Sequence, residues 1–351
     1  MATGIQISSE IEAKRPAIAA AIARREFERL HAFGQSSGFS VWQTSVNQAN
    51  GYLSALAGAM ALDNRALFFD YVAWAKVRML KQGFNAGLIE FHLQAVMAAL
   101  REYLSVDLLP PVDRFIDACL QAFPEFPEEV EPFLEQDAPY ADLAREYLHA
   151  LLHAERRAAS RMILDAADRG APVQDLYLHV FQPVQYEIGR LWQTNRISVA
   201  WEHYCTAATQ LIMSQLYPRI FSSQRHRGTM MAASISGNLH EIGVRMVADF
   251  FEIAGWSTFY LGVNTPLPDI LSALREHHPD LLAVSVCVLI DMKALEELIG
   301  KIRSDPSLDG LKLIVGGRLF NIDPELWRKV GADGYAPDAK AAVALAQRLL
   351  P

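Results

Sequence analysis

Apolar positions in the first third of the chain recur at intervals of three and four. Phe68, Phe69, Val72, Trp74, Ala75, Val77, Met79 and Leu80 form one run, and Leu88, Phe91, Leu93, Val96, Met97, Leu100, Tyr103 and Leu104 another. That spacing spreads apolar side chains so widely around a helix that each helix must be buried on more than one side. Asn64 offers an N-cap before the first run and Gly83 a stop after it. The spacing and Pro110-Pro111 predict that the second run ends at the proline pair, because proline lacks an amide donor and clashes with the preceding turn. Residues 1–122 read as an all-helical module. Residues 123–140 hold four prolines among acidic residues and read as a linker. A second helical block covers 141–218, with one long helix predicted through His153 to Asp168 and further helices near Leu176–Trp192 and Val199–Leu216, enough for a small bundle.

Beyond Tyr217-Pro218 the period shortens. Apolar runs at Met230–Ile235, Ser257–Val263, Leu281–Val286 and Leu313–Val315, with a weaker fifth near Tyr335, alternate with helical stretches at Glu241–Ala254, Pro268–His277, Met292–Arg303, Pro324–Val330 and Ala339–Leu349. Strand and helix in strict alternation predict a doubly wound parallel sheet of five strands, flavodoxin-like, over residues 228–351. The fold class expected is α + α/β: helical N-terminal module, helical bundle, Rossmann-like domain.

Charge narrows the partners. Lys plus Arg number 32 and Asp plus Glu 40, a net charge of −8, which disfavours broad binding to nucleic acid. The basic run Arg225-His226-Arg227 is too short to reverse that balance. Cys119, Cys205 and Cys287 stand far apart with no C-x-x-C pair, so neither a disulfide framework nor a thiolate zinc site is expected. No stretch has the roughly 18 uninterrupted apolar residues of a membrane helix. These features predict a soluble, cytoplasmic protein with no membrane partner.

In a doubly wound sheet, ligands bind beyond the carboxyl ends of the strands, where the strand order reverses. The loop after the first strand reads Ser236-Gly237-Asn238-Leu239-His240-Glu241-Ile242-Gly243, which is not the G-x-G-x-x-G phosphate fingerprint. It places an imidazole at a helix start, with Asn238 within reach to fix its tautomer. On its own this histidine could equally be a helix cap. The motif N-x-H-x-x-G, however, resembles the D-x-H-x-x-G signature of cobalamin-binding domains. Ser285-Val286-Cys287, Gly316-Gly317 and Gly334-Tyr335-Ala336 fall where that family has its later motifs. The resemblance implies His240 as lower axial ligand of cobalt, base-off and His-on. Asn238, Gly243, Ser285, Cys287, Gly316, Gly317 and Tyr335 would line the corrinoid site, with small residues admitting the nucleotide tail.

Upstream, Trp192 and Glu202-His203 form W-x9-EH, which resembles the helical cap of adenosylcobalamin-dependent light sensors. That likeness implies that Trp192, Val199, Glu202 and His203 enclose the upper corrin face. Two departures matter. Asn238 replaces the common Asp, and an amide cannot raise the basicity of His240 as an anion would. Gln193 stands where the carotenoid-gene light sensor has a cobalt-binding histidine, which leaves His179, His203 or water for that role. The run Leu67–Trp74 with Leu80–Gly83 resembles photocobilins, which pair cobalamin with biliverdin. It implies a non-covalent bilin near Tyr71, Trp74, Arg78, His92 and His179. The resemblance as a whole implies a light sensor that signals by a change in homo-oligomeric state to an unknown downstream partner. The competing expectations are a corrinoid methyl carrier of a methyltransferase system and a light-independent cobalamin sensor.

Overall fold

A computed structural model describes residues 3–32, 39–221 and 227–350; Arg225 and His226 of the basic run lie outside them. The chain forms two compact units, Met1–Val130 and Glu131–Pro351. Among the described residues no helix is long and apolar enough to cross a membrane.

The first unit holds helices α1 (Gly4–Ala32), α2 (Phe39–Ala61), α3 (Arg65–Lys81), α4 (Ala86–Tyr103) and α5 (Leu109–Ala122). Asn64 caps α3, its side chain accepting from the Ala66 amide at 3.1 Å, and Asn85 caps α4 by accepting from Leu88 at 2.9 Å. The proline pair does not end α4, which stops at Tyr103. Pro110 and Pro111 lie instead in the first turn of α5, where no intrahelical amide donor is needed. The first part of the proline-rich stretch belongs to this unit. Lys76 on α3, only 2% exposed, donates to the carbonyls of Phe123 (3.2 Å) and Phe126 (2.7 Å) and lies 3.6 Å from Glu128. Burying an ammonium requires such partners, and they fasten residues 123–128 to the helices.

The second unit opens with α6 (Ala141–Leu152) and α7 (Arg156–Asp168). These are two helices and not the single long one expected. Ala154 takes a left-handed φ of 59° between them, although neither glycine nor proline marks the break. The short α8 (Val173–Leu176) runs through a π-helical turn at Tyr177–Phe181 into α9 (Gln182–Gln193), and α10 (Val199–Ile220) completes the bundle.

The sheet follows, with β1 (Thr229–Ser234), β2 (Ser257–Tyr260), β3 (Leu281–Ser285), β4 (Lys312–Gly316) and β5 (Gly334–Tyr335). The order is β2-β1-β3-β4-β5 and every pairing is parallel, so the reversal lies between β1 and β3. Helices α11 (Glu241–Ile253), α12 (Leu267–His277), α13 (Met292–Arg303), α14 (Arg318–Ile322), α15 (Leu326–Val330) and α16 (Ala339–Leu349) make the crossovers.

The bundle shares a core with the helices that cover one face of the sheet. Ile242, Met246 and Phe250 of α11 pack with Tyr177, Phe181, Ile212 and Leu216 of the bundle. Polar groups cross the same seam. Tyr177 in the π turn donates to Asp249 Oδ2 at 2.7 Å, and Arg245 donates to the Gln210 carbonyl (3.1 Å) and to Ser214 (2.8 Å). Burial pushes the Asp249 carboxyl up to about 6, with the Tyr177 hydroxyl and Arg245 opposing the shift. The sign follows from linkage. Between pH ~4 and ~6 the folded state keeps a proton that the unfolded chain releases, so stability falls as pH rises through that window and is flat above it. Asp249→Asn removes this titration while keeping an acceptor for Tyr177. Its stability relative to the parent should rise between pH 5 and pH 7, by at most about 3 kcal/mol, in urea unfolding; parallel pH curves would exclude the effect.

Candidate functional site

The site grows out of the loop that leaves β1 at the reversal of strand order. Asn238, 1% exposed, is its anchor. The side-chain Nδ2 donates to the Ser285 carbonyl at the end of β3 (3.0 Å). The Oδ1 accepts from the His240 amide (3.0 Å) and lies 2.8 Å from His240 Nδ1. An amide oxygen only accepts, so Nδ1 carries the proton and the lone pair rests on Nε2. His240 sits at the N-cap position of α11 yet its side chain makes no capping bond, which removes the simple capping role.

The ring is solvent-accessible, but the surrounding protein still depresses its pKa below the ordinary histidine value. Both facts hold at once for a side chain on the floor of a cleft. Burial is the larger cause, and the Glu202 carboxylate opposes it. At neutral pH the ring is uncharged, the form that ligates metals.

Loops from three strands brace the cleft floor. The Gly237 amide donates to Asn264 Oδ1 at 2.9 Å, and the Asn264 amide to the Asn238 carbonyl at 3.2 Å. Gly237 has φ 96°, and a Cβ there would lie 2.8 Å from Asp291 Oδ1. Leu239 (72% exposed), Val288 and Ile290 (56%) turn apolar side chains outward from the loops after β1 and β3. Such a rim at the mouth of a cleft suits an apolar ligand face.

The other expected residues divide into groups. Ser285 and Cys287 lie at the end of β3 with Oγ and Sγ 4.0 Å apart, and burial raises the thiol pKa, so Cys287 stays protonated. Tyr335 ends β5 and donates to Asn321 Oδ1 at 2.8 Å. The two glycines after β4 have a packing reason that sequence alone does not reveal. A Cβ on Gly317, φ 96°, would lie 2.4 Å from the Val286 carbonyl oxygen, and one on Gly316 would lie 3.0 Å from that of Ala336. Gly243 differs: its φ is not left-handed and a Cβ there would meet nothing within 4 Å, so it borders open space.

On the bundle side, Trp192 is half-buried at the end of α9 and Gln193 is buried. Val199 is exposed at the start of α10. Glu202, in the first turn of α10, accepts from Thr206 Oγ1 (3.0 Å) and pairs with His203 Nδ1 (2.6 Å), whose ring is largely exposed. Gln210, about two turns further on, donates to Glu241 Oε2 at 2.6 Å and docks α10 on the residue beside His240; Tyr260 holds the other Glu241 oxygen at 3.0 Å.

The five residues expected to hold a bilin are not gathered in one unit. Tyr71, Trp74, Arg78 and His92 belong to the first. There Tyr71 and Trp74 have ring centroids 6.0 Å apart, Arg78 lies 5.8 Å from the Trp74 ring, and buried His92 pairs with Glu26. His179 belongs to the second unit and stacks on Tyr140. Cys119 is fully buried with its thiol pushed up to about 12, which leaves it unreactive at neutral pH.

Residues 228–344 match the family model of the B12 binding domain, and residues 143–217 match a second family model, also described as a B12 binding domain. Sheet and bundle together thus carry the marks of cobalamin-binding proteins. The chain is 26% identical over 129 residues to dimethylamine corrinoid protein 3 of Methanosarcina acetivorans, a match covering 36% of this chain and 59% of that protein. Dimethylamine corrinoid protein 1 of the same organism is 24% identical over 170 residues, covering 47% and 77%. The solved monomethylamine corrinoid protein of Methanosarcina barkeri superposes with a TM-score of 0.55 at 18% identity, over 60% of this chain and all of that one, which shows the fold.

A bare metal ion needs three or more protein donors, and no such cluster of His, Cys, Asp or Glu occurs among the described residues. A corrinoid brings its own equatorial nitrogens, so one oriented imidazole is a fitting donor set. Sequence reasoning did not single out Leu239, Val288, Ile290 or Thr206. Apolar residues in loops at the strand ends, and a threonine four places after Glu202 on one helix face, were the available signals. Asn238→Ala should leave the His240 amide without its acceptor and the Ser285 carbonyl with only the longer bond from Ser234 Oγ at 3.3 Å, at a cost of about 1–3 kcal/mol. Urea unfolding checks this, and a loss below the detection limit would show the asparagine to be dispensable.

Proposed function

We propose that this chain is a corrinoid carrier that holds cobalt through His240 Nε2, base-off, between the sheet and the helical bundle. The observation that carries the reading is the Asn238–His240 pair at the reversal of strand order, which leaves an oriented, neutral imidazole facing a cleft with an apolar rim. When bound, the corrinoid supplies a cobalt centre with an exchangeable upper ligand. His240 would hold the lower face, Leu239, Val288 and Ile290 the ring edge, and the open space beside Gly243 the nucleotide tail. Methyl carriage is the role supported by the relatives, whose names join a corrinoid to methylated amines.

A second reading, an adenosylcobalamin light sensor, is favoured by Glu202 and Trp192 on the bundle side and by the neutral Asn238. In it the first unit would hold biliverdin non-covalently against Tyr71 and Trp74, with Arg78 toward a propionate. The signal would pass through a change in homo-oligomeric state to a partner still to be identified.

His240→Ala should lose the His-on absorption spectrum and bind cobalamin more weakly while keeping its fold; an unchanged spectrum and affinity would contradict the assignment. Gly243→Leu should fold normally, within about 0.5 kcal/mol, yet bind cobalamin more weakly, and full affinity would place the tail elsewhere. Illumination separates the two roles. A methyl carrier keeps its oligomeric state in size-exclusion chromatography after green light, whereas a change seen only with adenosylcobalamin bound would establish the light sensor.

A further inference from the structure

The loop that leaves β3 turns one acid inward. Val288 and Ile290 are exposed on it, whereas Asp291, the residue between Ile290 and α13, is 4% exposed. Two neighbours could satisfy this side chain, and neither does. At the N-cap position of α13 it makes no capping bond. Against the loop after β1 it meets Gly237, where even a Cβ would come within 2.8 Å of Oδ1, and the Gly237 amide is already given to Asn264. Asp291 Oδ2 is buried with no hydrogen-bond partner. The residues flanking it in the two loops, Ser236, Gly237, Val288 and Ile290, are exposed. The carboxyl therefore lies one layer beneath the surface, where the strand order reverses.

A buried carboxyl oxygen without a donor is costly, and native structures rarely leave one. Burial pushes the Asp291 carboxyl up to about 6, so the ionised form predominates at neutral pH. A bare divalent cation does not fit that charge, because no cluster of three His, Cys, Asp or Glu side chains occurs among the described residues. An N–H donor entering from the cleft does. The carboxylate has already lost its water, so a donor that reaches it forms a charge-assisted hydrogen bond with little further desolvation. A corrin ring carries primary carboxamides around its edge, each with N–H donors. The longer ones, the propionamides, project from the face of the ring that His240 would ligate. They have the reach for a group just beneath the rim formed by Val288 and Ile290. Hydrolysis of one such amide leaves a carboxylate, which brings no donor and a second negative charge.

We propose that Asp291 is a specificity-determining residue that accepts an N–H from a ring-edge propionamide and so selects fully amidated corrinoids over those bearing a free carboxylate. This rests on the corrinoid reading of His240. The test is equilibrium binding to the full chain, in the dark at neutral pH and followed by absorption. The ligands are hydroxocobalamin and its three monocarboxylic acids, each with a single propionamide hydrolysed. The parent should discriminate against at least one of the acids by about ten-fold. Asp291→Asn keeps the shape and adds a donor for the carboxylate, so it should bring that same acid to within about two-fold of hydroxocobalamin. Asp291→Leu should weaken hydroxocobalamin and narrow the same ratio. A purely structural role would lower the melting temperature and weaken all four ligands by one factor, leaving the ratio unmoved. That result, or equal affinity of the parent for all four, overturns the inference while a His-on spectrum keeps the reading of His240. Failure of all four to bind overturns both.

Discussion

The hydrogen bonds of one buried amide hold the functional end of this protein together. Asn238 joins the loop after β1 to the end of β3, across the one place in the sheet where strand order reverses, and in the same stroke fixes the tautomer of His240. Reversal of order forces the crossover helices to opposite faces and opens a crevice there in any sheet of this topology. Here the crevice would be an unspecific gap without an oriented donor at its floor. The asparagine supplies the orientation without supplying a charge, so the imidazole stays neutral, with burial the main cause of its lowered pKa.

The rest of the second unit keeps that floor opposed to a lid of fixed composition. Ile242, Met246 and Phe250 give α11 a core in common with the bundle, and Gln210–Glu241, Arg245–Ser214 and Tyr177–Asp249 cross the same seam. The seam is partly polar, and burial pushes one of its carboxyls, Asp249, up to about 6. Interfaces of this kind reposition more readily than wholly apolar ones, because polar contacts can be exchanged for water. The π turn that carries Tyr177 is the irregular element in the bundle, and such turns often mark functional segments.

Most of the sheet was legible in the sequence because its signals are local. Alternating apolar runs and helical stretches mark β1–β5 and the helices α11, α12, α13, α15 and α16 to within a few residues, and Met292–Arg303 and Ala339–Leu349 have the predicted bounds, whereas the short α14 carries no such signal. The failures have physical causes. Pro110-Pro111 reads as a stop in the sequence, although proline serves equally well at a helix start, and only the end of α4 at Tyr103 decides between them. The break at Ala154 is an exposed left-handed residue at a helix end closed by backbone bonds from Ala154 to Leu151 and from Glu155 to Ala150, with no glycine to announce it. At the site, Asn238, His240 and Glu202 could be read from motif spacing. The contacts of Thr209 with Tyr147 and Gln185 could not, because they join three helices and depend on tertiary placement. For the glycines after β4 the sequence suggests only ligand space, but the backbone of Val286 and Ala336 already requires them.

The central claim is that an imidazole of this chain, and not the corrinoid's own base, binds the cobalt. Electron paramagnetic resonance of the chain loaded with cob(II)alamin tests it most directly, because unpaired spin on cobalt couples to the axial nitrogen. Protein produced with natural histidine should show each cobalt line split into three by 14N. Protein labelled with 15N only at histidine and loaded with unlabelled cobalamin should show each line split into two. If the three-line pattern persists in the labelled protein, the nitrogen belongs to the cofactor, and the role assigned to His240 is wrong.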